Sequence, residues 1–180
     1  PVVTMAKCGS VTLVTCCVLV LLGTAYCGRD WGVRTRATCE LTGKISGTII
    51  LEEREQDLLI KGYVAHLPLG PHAIHVHTHG LTGNDCKDAG GHYNPHNVSH
   101  GAPYDSERHV GDWGNLDVNR DPYRLAITDH VAKLTGPHSI VGRAIVFHAG
   151  ADDLGRGDSP SSKLNGNAGG RLGCCVISTS

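Results

Sequence analysis

Aromatic residues are scarce in this chain: they make up 4% of its 180 residues, and there is one Phe. A close-packed core must therefore be built mainly from Val, Ile, Leu and Ala. An excess of positive charge is also missing, since 16 Lys and Arg face 17 Asp and Glu, for a formal net charge of −1. A nucleic-acid binder needs a basic patch to neutralise phosphates, so we expect no nucleic-acid partner.

A run long enough to span a membrane is not evident near the start of the chain. Uncharged apolar residues fill positions 11–22, whereas a spanning helix needs about 20. A short basic segment with Lys7 precedes this stretch and small residues follow it, which is typical of a secretory signal peptide; a signal anchor is the alternative. Cleavage after Ala25 and cleavage after Cys27 fit equally well.

The expected division of the chain is therefore 1–27 for leader residues and signal peptide, and 28–180 for one domain. We expect a secreted, extracellular protein with no stable membrane association after cleavage. Disulfide bonds are expected in that oxidising compartment.

Short runs rich in β-branched residues, separated by Gly, Pro, Asn and Asp, predict an all-β domain. Evenly spaced strands of this kind favour an antiparallel sandwich or barrel. Two long Gly-rich connections, 78–109 and 150–170, do not fit strands, and loops of this length are usually functional or disordered. The candidate strands are 38–41, 47–52, 58–66, 73–77, 125–129, 140–147 and 173–177.

Histidine is abundant and clustered: all 12 lie between His66 and His148. In a strand, His75 and His77 project from one face, which suits a shared metal ion but equally a pair of surface histidines. Four further histidines and an aspartate follow. Three imidazoles with one carboxylate make a closed tetrahedral zinc shell, and a tetragonal set of imidazoles favours Cu(II). The later residues are His92, His100, His109, Asp112 and His148.

Six runs of sequence carry a resemblance to a known family: HAIHVH (72–77), CKDAGGHYNP (86–95), HGAPYDSERHVGDWGN (100–115), IVGRAIVFH (140–148), DDLGRG (152–157) and GNAGGRLGCCVI (166–177). They resemble copper/zinc superoxide dismutase, and the secretory leader suggests the extracellular type. The resemblance covers about residue 38 to the end and implies a Greek-key β-sandwich or barrel, immunoglobulin-like, of about eight antiparallel strands with two long functional loops.

The resemblance implies the role of each site residue, with one copper and one zinc per subunit. His75, His77, His92 and His148 match the copper ligands. His92, His100, His109 and Asp112 match the zinc ligands, so His92 bridges the two metals. Asp152 matches a carboxylate that links a copper-ligand and a zinc-ligand histidine. Arg171 matches the guanidinium that guides the superoxide anion.

The implied activity is disproportionation of superoxide to dioxygen and hydrogen peroxide by Cu(II)/Cu(I) cycling, with zinc in a structural role and His92 as the catalytic proton carrier. Arg171, with Lys163 as a weaker candidate, would draw the anion into the cleft in a salt-sensitive way. The protein is thus expected to be an antioxidant oxidoreductase.

Four cysteines remain after the expected signal peptide. The resemblance implies a Cys86–Cys174 disulfide, while Cys39 and Cys175 are either free or bonded to each other; the sequence alone allows three pairings. Asn97 begins an N-glycosylation sequon, whose use the sequence leaves open.

The family's homodimer is an open expectation, because His79 stands where the family usually has an aromatic residue at the subunit contact. A copper carrier on the same fold is the principal alternative function. A carrier would be expected to lack a copper ligand or the guiding arginine. A copper-only variant of the family would lack zinc ligands. A zinc hydrolase is a third alternative, but no site for it can be assembled from these motifs.

Overall fold

The computed structural model describes residues 32–83 and 86–179. The chain divides into Pro1–Asp30 and Trp31–Ser180, and the predicted signal peptide lies outside the described residues. In the part of the chain that is described, no helix has the length and apolar character needed to cross a bilayer.

The described residues contain nine β-strands and two short helical turns. The strands are β1 (Thr35–Gly43), β2 (Ser46–Glu53), β3 (Leu58–Ala65), β4 (Gly70–His77), β5 (Asp112–Val118), β6 (Tyr123–Asp129), β7 (Ala144–His148), β8 (Arg171–Val176) and β9 (Ser178–Thr179). A 3-10 helix covers Cys86–Ala89 and α1 covers Ser162–Asn165.

The strands form an antiparallel, nearly closed barrel in the order β5-β4-β7-β8-β1-β2-β3-β6, with β9 added beside β1. β4 lies next to β7, and β3 next to β6, so neighbours in space are not consecutive in sequence. This connectivity is of the Greek-key type. The predicted all-β Greek-key fold is confirmed.

Aliphatic side chains fill the barrel because they alternate along the strands. In β1, Ala37, Cys39 and Leu41 point inward, and in β3 Leu58 and Ile60 do so. Phe147, the single Phe of the chain, is also fully buried. Because aromatic residues are scarce, the core consists largely of Ile, Leu and Val.

Several predicted strands differ from the structure at their ends. The prediction omitted β5, because Gly114, Asn115 and Asp117 resemble turn residues. In the structure, buried and exposed residues alternate from Gly114 to Val118, as in a strand with one buried face. The strand expected at 140–147 begins only at Ala144, since the preceding residues include Gly142 at φ 80°.

Two long loops cover the outer face of β4 and β7. The first long loop, residues 78–111, connects β4 to β5, and the second long loop, residues 149–170, connects β7 to β8. Because of this cover, the last six residues of β4 are buried on both faces. Ile74 and Val76 belong to the barrel core, which leaves His75 and His77 facing the loops.

Candidate metal centre

Three groups of buried side chains bring ligand atoms within 4.8 Å of one another. Two of the groups share His92, and together they contain all seven metal ligands expected from the sequence. The groups are His75, His77, His92 and His148; His92, His100, His109 and Asp112; and His75, His100 and Asp152.

The first group takes its geometry from β4 and β7, which pair directly. His77 Nδ1 hydrogen-bonds to the Gly90 carbonyl oxygen at 2.8 Å, and His148 Nδ1 to the Gly169 carbonyl oxygen at 3.3 Å. These bonds fix both rings, so that the two Nε2 atoms face each other at 3.3 Å. His75 is held through its other ring nitrogen: Nε2, not Nδ1, is the bonded atom, and it lies 2.8 Å from Asp152 Oδ2.

His92 joins the first group to the second. A β-bridge pairs its backbone with that of His77, so the first long loop folds back onto β4 at this point. Nδ1 of His92 lies 2.9 Å from Asp112 Oδ1. Nε2 of His92 is buried in the first group and has no hydrogen-bond partner.

The second group converges on Asp112, the first residue of β5. Its Oδ1 lies 2.9 Å from Nδ1 of both His92 and His100, and 3.1 Å from Nδ1 of His109. Its Oδ2 accepts backbone N–H groups from Gly101 and His109. One carboxylate is therefore fixed by the loop backbone while its other oxygen faces three imidazoles.

Asp152 links the two groups from outside. Its Oδ2 is bonded to His75 Nε2, and its Oδ1 lies 2.7 Å from His100 Nε2. Asn115 in β5 holds Asp152 through both ends of its amide, at 2.8 and 2.7 Å from the Asp152 backbone oxygen and nitrogen. Asn115 was not among the site residues predicted from the sequence, although it closes one of the runs that carried the resemblance.

Burial sets the protonation of the first group. It lowers the pKa of His75 to about 3, of His77 to about 2 and of His148 to about 4. It also lowers the pKa of His92, against the opposing hydrogen bond to Asp112. These imidazoles are therefore neutral at pH 7, the form in which histidine binds metals.

The two carboxylates reverse this pattern for His100. Burial favours the neutral ring, but Asp112 and Asp152 outweigh it and raise the pKa of His100 to about 9. In turn, burial of Asp112 and Asp152 is outweighed by the neighbouring histidines, His100 foremost, so both carboxyl groups have pKa values well below their usual range. Both aspartates are anionic at any pH at which the domain would work.

The donor set fits a pair of transition-metal ions. Nδ1 of His75 and Nε2 of His92 are buried without hydrogen-bond partners, and such atoms are costly unless something binds them. Nδ1 of His100 makes no well-aligned hydrogen bond despite its closeness to Asp112, as expected if both atoms face a common cation. Four imidazole nitrogens suit copper, and three with a carboxylate oxygen suit zinc.

A cleft leads to the first group and carries the expected arginine. His77, His92, His148, Asn165 and Arg171 are among its lining residues. The Arg171 guanidinium donates hydrogen bonds to the carbonyl oxygens of Cys86 and Gly90. Because Gly90 also accepts from His77, the arginine and a ligand histidine share one backbone anchor.

Two disulfides are present, Cys86–Cys174 and Cys39–Cys175. The first is the pairing implied by the resemblance, and the second decides between the alternatives left open for Cys39 and Cys175. Adjacent residues on β8 point to opposite faces, so Cys174 reaches the first long loop and Cys175 reaches β1.

Two further predicted residues lie at the surface. Asn97, at the start of the sequon, is exposed with φ 52°, and the side chain of His79 is also exposed. Both positions are accessible in a single chain.

Comparison with known proteins gives consistent matches. Residues 45–177 match the family model described as copper/zinc superoxide dismutase (SODC). The chain is 48% identical over 137 residues to a Caenorhabditis elegans protein named extracellular superoxide dismutase [Cu-Zn]; this match spans 76% of the chain but only 62% of that relative. It is 45% identical over 146 residues to a putative superoxide dismutase [Cu-Zn] of Autographa californica nuclear polyhedrosis virus, spanning 79% of the chain and 97% of the relative.

A solved structure is similar as well. The crystal structure of the clock protein EA4 superposes with a TM-score of 0.77 at 39% sequence identity, covering 84% of this chain and 99% of that one.

Proposed function

The chain belongs to the copper/zinc superoxide dismutase family, and from that premise we propose that it disproportionates superoxide to dioxygen and hydrogen peroxide. One observation carries the proposal: the two ring nitrogens of His92 take part in two different ligand groups. A single imidazole thus connects a set of four nitrogens with a set of three nitrogens and one carboxylate oxygen.

The first group would hold copper and the second would hold zinc. Bound copper supplies one-electron chemistry by alternating between Cu(II) and Cu(I), whereas zinc has no redox chemistry and fixes its ligands. Asp152 would orient His75 and His100 by accepting their Nε2 protons, which leaves Nδ1 of each ring as the ligand atom.

The reaction consumes protons as well as transferring electrons, because superoxide must be protonated to leave as hydrogen peroxide. Hydrogen peroxide carries two protons. We assign one of them to Nε2 of His92, which is buried at the cleft and has no protein hydrogen-bond partner, and the other to solvent. Nδ1 stays directed at Asp112 throughout, so the ring keeps its position when Nε2 gains or loses the proton.

Arg171 would guide the substrate. Its guanidinium is fixed by two backbone carbonyl groups and lines the same cleft as His92. Since the whole chain carries a formal charge of −1, a positive potential at the cleft must come from local charges, which would be the bound metal ions and Arg171. Lys163, in α1 of the second long loop, is a weaker contributor because it is exposed.

We further propose that the protein is secreted, with residues 1–27 as leader and signal peptide and residues 28–180 as the enzyme domain. The leader composition and the name of the nematode relative support this. N-terminal sequencing of the exported protein should begin after Ala25 or Cys27. An uncleaved N-terminus would contradict the proposal.

We propose that a homodimer is possible but weakened by His79, an exposed ring at the position where the resemblance implies an aromatic residue in the subunit contact. A His79→Phe variant should sediment with a larger dimer fraction than the wild type. An unchanged sedimentation profile would remove this argument.

The activity is tested by following superoxide decay in the protein loaded with copper and zinc, at low and moderate salt. We expect catalytic decay that slows as salt rises, and an Arg171→Gln variant with slower decay and a flatter salt dependence. Metal uptake without catalytic decay would contradict the proposal and favour a copper carrier.

A further inference from the structure

Two histidines that belong to none of the three ligand groups meet on the surface. His96 lies in the first long loop, and His138 lies between β6 and β7. Their Nε2 atoms are 3.0 Å apart, with ring centroids at 5.0 Å and ring planes at 89°. His96 is exposed and His138 is partly buried.

We propose that His96 and His138 form a surface site for Cu²⁺, separate from the metal centre described above. A metal–imidazole bond of about 2.0–2.1 Å places two nitrogens at right angles about 2.9 Å apart, and two tetrahedral nitrogens about 3.3 Å apart. The observed 3.0 Å is close to the right-angled value. Two cis nitrogens are typical of tetragonal Cu(II) sites.

The backbone holds the His96 side of the pair in place. Asn94 closes a tight turn around His96, donating from Nδ2 to the Val98 carbonyl oxygen at 2.8 Å and accepting from the Val98 N–H at 3.1 Å. The loop that bears His96 is therefore folded before any ion binds.

The His138 side is held equally firmly. Lys133 N–H donates to the His138 carbonyl oxygen at 3.1 Å, and the Ser139 hydroxyl donates to the Leu134 carbonyl oxygen at 2.9 Å. Tyr93 connects the two loops, because its hydroxyl donates to the carbonyl oxygen of Pro137 at 3.3 Å. A metal ion would therefore meet two histidines whose backbone segments the fold already holds in place.

The protein supplies only part of the coordination shell. Among residues 32–83 and 86–179, no further His, Cys, Asp or Glu forms a group of three with this pair. Water would complete the shell, so the site should exchange its ion readily. Without an ion, the Nε2–H of one ring donates a hydrogen bond to Nε2 of the other. When Cu²⁺ binds, the donor ring would take its other tautomer, with the proton on Nδ1, so that both Nε2 atoms serve as ligands.

The test uses the enzyme already loaded with copper and zinc, produced in a host that adds no N-glycan at neighbouring Asn97. Equilibrium dialysis against Cu²⁺ measures further binding by the wild type, His96→Asn, His138→Asn and, as a matched control, His130→Asn. His130 is an exposed histidine just after β6.

We expect the wild type and His130→Asn to bind one further Cu²⁺ with nitrogen hyperfine structure in the EPR spectrum, and each of the other variants to bind it at least about tenfold more weakly. Cu²⁺ should raise the melting temperature of the wild type but not of His96→Asn. Superoxide decay should be the same in all four proteins, which shows that each is folded. The paired site would be overturned if the wild type bound no further Cu²⁺ or if all four proteins bound it equally. It would also be overturned if only one of His96→Asn and His138→Asn weakened Cu²⁺ binding.

Discussion

Nδ1 of His92 lies 2.9 Å from Oδ1 of Asp112, while the opposite nitrogen of the same ring is buried with no hydrogen-bond partner. The ring is thus fixed on one side by a carboxylate of β5 and left open towards the cleft on the other. This arrangement allows one imidazole to take part in two ligand groups, and it underlies the first prediction.

Replacing His92 with Ala should reduce superoxide decay about a hundredfold or more, because both the shared ligand and the proposed proton carrier are removed. The measurement is superoxide decay together with the copper and zinc content of the purified protein. His130→Ala, an exposed change, should leave both unchanged. A His92→Ala protein that kept more than a tenth of the activity would contradict the assigned role.

Replacing Asp152 with Asn should weaken metal binding about 10–100-fold. An amide has a single oxygen and so cannot accept from His75 and His100 with both of its ends, as the carboxylate does. Competition with a chelator measures the affinity, and Asp158→Asn in the same loop, at an exposed position, is the control. Equal affinities for the two variants would remove Asp152 as an orienting residue.

The two disulfides should differ in their effect on activity. Removing either, by Cys→Ser at both ends, should lower the free energy of unfolding by about 2–5 kcal/mol, since they close separations of 88 and 136 residues. Only loss of Cys86–Cys174 should also slow superoxide decay, because the Cys86 carbonyl group anchors Arg171.

We would measure denaturant unfolding and superoxide decay on the two double variants at saturating copper and zinc. The first measurement reports the effect on stability and the second the effect on activity. If loss of Cys39–Cys175 slowed decay as much, the proposed link between the Cys86 segment and Arg171 would be wrong.

Glu52 should contribute to stability in a pH-dependent way. It is buried between two cations: the hydrogen bond from Lys61 at 2.7 Å and that from Arg36 hold its pKa below the usual 4.5, against the opposing effect of burial. Because the pKa is lower in the folded state, the stabilisation is complete above about pH 4.5 and is lost as the pH falls through the folded value.

At pH 7, Glu52→Gln should lower the free energy of unfolding by about 0.5–1 kcal/mol, a small value because both cations are half exposed. The difference in free energy of unfolding between Glu52→Gln and wild type, both metal-free, should become smaller at successively lower pH. Glu40→Gln, which loses only a hydrogen bond from Thr48, should show no such trend; a Glu52→Gln difference that persists in acid would contradict the assignment.

Much of the site could be predicted because its residues follow local rules. His75 and His77 alternate in a strand, and the spacing of His92, His100, His109 and Asp112 resembles a known family. The fold followed from the pattern of short β-branched runs. β5 was missed because its Gly, Asn and Asp have low strand propensity, and only its place beside β4 makes it a strand.

Contacts between residues far apart in sequence could not be predicted in this way. The Cys39–Cys175 disulfide depends on the pairing of β1 with both β8 and β9. The buried ion pair between Arg108 and Asp129, at 2.5 Å, joins the first long loop to the end of β6. His96 and His138 are 42 residues apart, and nothing local to either one indicates the other.

The shared role of His92 is tested most directly by anomalous diffraction from crystals of the copper- and zinc-loaded protein, recorded at the absorption edge of each metal. The account predicts one copper peak beside Nε2 of His92 and one zinc peak beside its Nδ1, within the two ligand groups defined above. A single peak, or two peaks that do not share His92, would contradict it.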